Sequence, residues 1–359
     1  MTQNSTAKVG PDGWDNLFLY IIYFVLGTTI SAGNCVIVAT ILKYKALRSS
    51  KVYVIVTGLS TADAINMLAY AIAGAYRIRK VLDGTHSGLM RPWECMCTAQ
   101  GLLWSFSNKI SSLMLAAVSL DRLFSVALPL EYLAWSTSYA RTIVITSYMY
   151  SVVSGAIGVA LTYSTRNQPP SISAACIPPQ ALAVVSPVIL ISHCSSAFYE
   201  KLLQAYSSYF AMMPVFFCTL SIMLYISVFA IYHRAIQAMA PADRKRQLEQ
   251  ERKVTRGLGV SCLCTFFFYE APWFAGLVST WLGFSSINFV FWVLTMINPG
   301  CNLLVYPQRM PEIKMAVKGL FTCKMMPESL QQWHAIGTAA TTKVEPMAAK
   351  QAEDRVESV

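Results

Sequence analysis

The sequence predicts an all-α membrane protein, a seven-transmembrane-helix bundle followed by a short amphipathic eighth helix. Three observations carry that expectation. Of 359 residues, 55% are hydrophobic and only 13% charged, a balance no water-soluble domain of this length needs. The apolar residues gather into runs at 17–42, 52–76, 97–118, 142–163, 206–232, 254–282 and 284–305. Each suits the roughly 20 residues that carry a helix across ~30 Å of hydrocarbon. The runs are continuous rather than alternating, which excludes a closed barrel, the other structure that satisfies its own backbone in lipid.

The first run is too long for a signal-peptide core and lacks a basic segment just before it, so it reads as an uncleaved span. With the amino terminus outside, inner segments hold 16 Lys and Arg residues and outer segments hold 7. The positive-inside rule therefore places residues 1–16 outside the plasma membrane, with the chain multi-pass over 17–307. Asn4-Ser5-Thr6 is a glycosylation sequon on that outer side, with Asn4 as acceptor. Arg77, Arg79 and Lys80 break the charge pattern as an exposed outer cluster, suited to an acidic ligand or simply to solvent and headgroups. The long loops are 164–204 outside and 234–256 inside. Residues 308–323 hold the amphipathic stretch, ending at Cys323, a palmitoylation candidate; residues 324–359 read as a disordered polar tail. The net charge of +10 answers to anionic lipid on the inner leaflet, not to nucleic acid.

Ten cysteines divide between compartments. Cys95, Cys97, Cys176 and Cys194 face the oxidising side, where disulfides persist. No metal-ligand spacing appears, and His86, His193, His233 and His334 all lie outside the spans. An embedded enzyme is therefore not expected, and no cofactor is implied. A transporter would show broken helices or repeat symmetry, and neither is apparent.

Polar residues inside the spans carry the expected mechanism, because each is costly there and must find a partner. They are Asn34, Asp63, Ser111 and Asn298. At ~100° per residue, Trp104, Asn108, Ser111 and Arg122 fall on one face of the third helix.

These residues carry a resemblance. Gly33-Asn34, Leu59-Ser60-Thr61-Ala62-Asp63, Cys97 opening the third span 25 residues before Arg122, Asp121-Arg122-Leu123, Pro214, Pro272 and Asn298-Pro299 occur in order. The chain resembles a rhodopsin-like (class A) G-protein-coupled receptor. Through Met90–Cys95, Leu120–Leu123 and Pro129 it is most similar to the nematode serpentine chemoreceptor class sx. The resemblance implies that Arg122 meets a heterotrimeric G protein when the sixth helix swings outward, with Asp121 restraining it at rest. It implies that Asp63, Ser111 and Asn298 surround a sodium ion or a water cluster. It also implies a disulfide from Cys97 to the long outer loop, at Cys176 or alternatively Cys194, with a second bridge from Cys95 possible.

The departures matter as much. Glu270 stands where the family usually has tryptophan, Asn302 ends a seventh-helix motif that lacks its tyrosine, and Ile222 replaces another tyrosine. Tyr148 lies near the missing fourth-helix tryptophan, and Arg252 replaces the glutamate that many relatives pair with the third-helix arginine. A mid-membrane carboxylate at Glu270 either protonates or finds a cation. Lys109 is its expected counterpart, with Asn108 nearby. Lys109 points ~140° from Trp104 on the helix wheel, toward the fourth and fifth helices; the alternative leaves Glu270 neutral on Asn108 and Lys109 on neighbouring hydroxyls. Glu270, Trp273, Phe274, Phe289, Trp292 and Trp104, with Asn108 and Lys109, then form a mostly aromatic ligand site. Trp104 replaces the aspartate of amine receptors and Trp292 the retinal lysine of opsins. A small chemical fits best; a neuropeptide is the alternative.

Overall fold

The computed structural model of the protein describes residues 16–167, 169–174, 176, 196–237, 259–260, 263–272, 274–275, 278 and 288–322. In chain order the helices are α1 (Leu17–Lys43), α2 (Lys45–Arg48), α3 (Lys51–Leu82), α4 (Pro92–Met96), α5 (Ala99–Ala127), α6 (Pro129–Ala134), α7 (Thr137–Thr162), α8 (Ser196–Gln237), α9 (Asn288–Arg309) and α10 (Pro311–Phe321). A two-stranded antiparallel ribbon pairs β1 (Leu89–Met90) with β2 (Ile172–Ser173). Helix α1, α3, α5, α7 and the Ser208–Arg234 part of α8 are each long and apolar enough to cross a membrane. Between α8 and α9, the described residues of the sixth expected span are helical and include a π-turn at Phe266–Glu270.

Most of the helices overrun their apolar runs, two of them furthest. The third run was expected to end at 118, yet α5 continues to Ala127 through the charged pair Asp121-Arg122. The fifth was expected from 206, yet α8 begins at Ser196 and carries Pro214 inside it. Neither overrun contains a glycine or a proline to stop the helix.

Helices in lipid gain little from mutual hydrophobic burial, so close packing and interhelical hydrogen bonds hold them together. The buried residues of α1 (Tyr23, Gly27, Ile30, Ser31, Asn34, Ile37, Thr40 and Ile41) recur at three- and four-residue spacing, one stripe facing α3 and α9. There Gly27 and Gly74 let two backbones touch. A Cβ on Gly27 would meet Ala71 N at 2.6 Å, and one on Gly74 would meet Phe24 N at 2.6 Å. Ser31 Oγ then donates to the Ala64 carbonyl at 2.9 Å. Across the bundle, the hydroxyls of Ser119 in α5 and Ser221 in α8 meet at 2.6 Å. Tyr148, near the expected tryptophan position, donates to the Gly58 carbonyl at 2.8 Å and ties α7 to α3.

Helix α5 is central. It packs on α3, α7 and α8, and buries residues around its whole circumference, from Gln100 to Ser125. Helix α10 packs back on α1 and α9, burying Ile313, Ala316 and Gly319.

Candidate functional site

Three polar layers stack along α5. The first lies at the end of the bundle that carries α6 and α10. Arg122 is 1% exposed and Asp121 2%. The Arg122 guanidinium donates twice to Asp121 Oδ2, from Nε at 3.1 Å and Nη2 at 2.5 Å. Tyr132 closes the set: its hydroxyl donates to Asp121 Oδ1 at 3.0 Å and accepts from Arg122 Nη2 at 3.2 Å. Pro129 starts the short helix that brings Tyr132 back over the pair. Lys51 caps this helix from α3, donating to the Tyr132 carbonyl and lying 4.2 Å from the centre of its ring. Trp135 packs on Tyr132, Phe124 and Tyr139 around it. Tyr132 was not singled out from sequence; its only signal there is the proline three residues before it.

The second layer gathers Asp63, Ser111 and Asn298 at one narrow crevice, as expected, together with Asn66, Ser112, Leu115, Tyr269 and Pro299. Asn302 Nδ2 donates to Asp63 Oδ2 at 3.0 Å, and Thr265 Oγ1 to Asn298 Oδ1 at 3.0 Å. Ser111 faces Asp63 without closing a hydrogen bond of ordinary geometry. A buried carboxylate beside such a hydroxyl fits the oxygen shell of a hard cation. The crevice itself is too tight for a water-sized sphere.

The third layer lies nearer the β-ribbon. Trp104 packs edge-on against Tyr70, with ring centres 5.5 Å apart, in a cluster with Tyr23, Met67 and Val293. Asn108 Oδ1 accepts from the hydroxyl of Tyr269 at 2.6 Å. Tyr269 thus reaches Asn108 from the sixth helix; the Glu270 side chain, expected there, lies outside the described residues. The contact has a local cause: the Ala271 amide bonds to the Phe266 carbonyl, a five-residue step that shifts the helix face by one position.

Lys109, 0% exposed, takes the alternative weighed for it. Its Nζ donates to Ser154 Oγ at 2.8 Å and to Tyr206 Oη at 2.6 Å. The rings of Tyr206, Tyr209 and Phe210 lie around it at 4.9, 5.6 and 5.1 Å. This is the side toward α7 and α8 that the helix wheel assigned, and a stem curling back to the sixth helix is not what forms. Phe274 also departs from expectation. It is 61% exposed rather than packed into a site. The side chains of Glu270, Phe289 and Trp292 lie outside the described residues, as do Trp273, Asn4, Cys194, Arg252 and Cys323.

The loops above correct the expected disulfide. Cys176 pairs with Cys95, with Cα atoms 5.3 Å apart, and Cys97 is a free, exposed thiol. Two residues apart on one helical turn, Cys95 and Cys97 project about 200° from each other, so only one faces β2. Pro92 begins α4, and its turn buries Cys95 beside Met96 and Ile172. Partial desolvation raises the Cys97 thiol above its ordinary pKa. The expected outer cationic cluster is likewise divided. Arg77 is buried, donating to the Cys176 carbonyl at 3.0 Å with its guanidinium near the rings of Tyr20 and Tyr23. Arg79 stays exposed beside Asp83.

Comparison with known proteins bears on the whole bundle. Residues 33–306 match the family model described as 7 transmembrane receptor (rhodopsin family). No individual curated protein matches the chain.

Proposed function

The chain belongs to the rhodopsin family of seven-transmembrane receptors, and from that premise we propose that it senses a small extracellular chemical and activates a heterotrimeric G protein. The amino terminus lies outside the plasma membrane, and the end bearing α6 and α10 faces the cytoplasm. Ligand enters above Trp104 and Asn108. Outward movement of the sixth helix then opens the cytoplasmic end for the G protein. In the resting state Asp63, Ser111 and Asn298 surround a sodium ion or a water cluster, for which the closed crevice has to widen.

One observation carries this reading: Arg122 is withdrawn from solvent by Asp121 and Tyr132 together. A guanidinium that merely reached for lipid headgroups would extend its stem toward the interface. Here it turns inward onto a carboxylate, a closed arrangement that a cytoplasmic partner would have to open. The carboxylate and hydroxyl that restrain it come from adjoining elements, α5 and α6, so docking at α6 and release of Arg122 are mechanically linked.

A second-messenger screen of cells expressing the receptor, against small-chemical and peptide libraries, tests the proposal. The expected result is a response to a small chemical, absent from Arg122→Ala at matched surface expression. A response to peptides alone replaces the chemosensory reading with a neuropeptide receptor. A response that survives intact in Arg122→Ala overturns the role given to Arg122.

A further inference from the structure

The sixth helix carries an irregularity that the proposed function has not used. At Phe266–Glu270 the backbone bond runs from the Ala271 amide to the Phe266 carbonyl, five residues back rather than four. Such turns hold one residue too many for an α-helix and are uncommon outside functional sites. If that residue were absorbed into α-geometry, everything before the turn would rotate by about 100° relative to everything after it.

The present register is held by contacts to α5 and α9. Tyr269, within the turn, is 5% exposed and donates to Asn108 Oδ1 of α5 at 2.6 Å. Thr265, just before the turn, donates to Asn298 Oδ1 of α9 at 3.0 Å. One residue earlier, Cys264 lies close enough to Cys301 of α9 for the two thiols to interact. Phe266 and Phe267, by contrast, are 40% and 60% exposed, and α8 and α9 flank the segment. A rotation of 100° would carry Thr265 off Asn298 and Cys264 off Cys301 together.

We propose that the π-turn at Phe266–Glu270 is a two-register switch, held in its resting register by Tyr269 on Asn108. Tyr269 is thereby the positioning residue that couples the ligand-facing side of α5 to the sixth helix. A ligand that competes for the Asn108 amide removes the tether, the turn relaxes to α-geometry, and the segment toward the cytoplasm rotates. The switch rests on the signalling function proposed above, but its register has a readout of its own.

That readout is the Cys264–Cys301 pair. In membranes holding the full-length receptor, copper-phenanthroline catalyses transfer of two electrons and two protons from the two thiols to oxygen, joining them as a disulfide. Mass spectrometry counts the linked peptide. Loss of one neutral hydrogen bond shifts a two-state balance about fivefold. Tyr269→Phe is therefore expected to raise ligand-free second messenger by up to about fivefold and to lower the initial cross-linking rate by less than that factor, because the resting register is the major one. Asn108→Leu, which removes the acceptor instead, should do the same, and deletion of Phe267 should abolish the cross-link. General loss of structure would lower both readouts, whereas the switch moves them in opposite directions. Unchanged cross-linking in both Tyr269→Phe and Asn108→Leu overturns the switch. Reduced cross-linking with a flat second messenger supports the switch and overturns the G-protein reading instead.

Discussion

Arg122 and Lys109 lie on the same helix, both sealed from solvent, and are kept there by opposite means. Arg122 has a carboxylate next to it in the chain and a tyrosine hydroxyl that bonds to both partners. Lys109 has two neutral oxygens and three aromatic faces. The first is an ion pair whose members depend on each other. The second is a cation dissolved in hydroxyls and ring faces, where attraction to the aromatic quadrupoles stands in for a counterion. Removing one charge should therefore strand the other at Arg122 and strand nothing at Lys109.

Stability of the detergent-solubilised receptor, measured by denaturant titration, separates the two cases. The largest effect is expected for Arg122→Met. It leaves the Asp121 carboxylate buried and unpaired, at about 3–5 kcal/mol. Adding Asp121→Leu should recover most of that loss, because both buried charges are then gone. Next comes Tyr132→Phe, which deletes a hydroxyl bonded to two charged groups and should cost about 1.5–3 kcal/mol. Smallest is Lys109→Met, expected within about 1 kcal/mol of the parent. Its former acceptors keep other partners: Tyr206 still donates to the Ser154 carbonyl at 2.7 Å, and Ser154 Oγ still meets Tyr209 at 3.0 Å. Should Lys109→Met prove as damaging as Arg122→Met, the contrast fails and Lys109 has a carboxylate partner after all.

How far the sequence led depended on whether helical periodicity held. On α5 it held throughout, so Trp104, Asn108, Ser111 and Arg122 share a face and Lys109 points to α7 and α8, as the wheel required. The crevice of Asp63, Ser111 and Asn298 was legible for the same reason. In the sixth helix periodicity broke. A five-residue turn leaves no mark in the spacing of Phe266-Phe267-Phe268-Tyr269-Glu270, so the contact of Tyr269 with Asn108 was not foreseen. The choice between Cys95 and Cys97 was hidden differently. It depends on a single turn of helix started by Pro92, and spacing alone does not say which cysteine that turn buries. Tyr132 was missed because its partner set spans two helices joined by a loop.

The contact between Gly27 and Gly74 has a consequence for motion. With backbone pressed on backbone, α1 and α3 have no clearance in which to slide or roll, and they form the stator of the machine. Displacement must then be taken up on the far side, where side chains rather than peptide planes meet. Bulkier residues at either glycine would pry apart the reference wall against which every other helix is positioned.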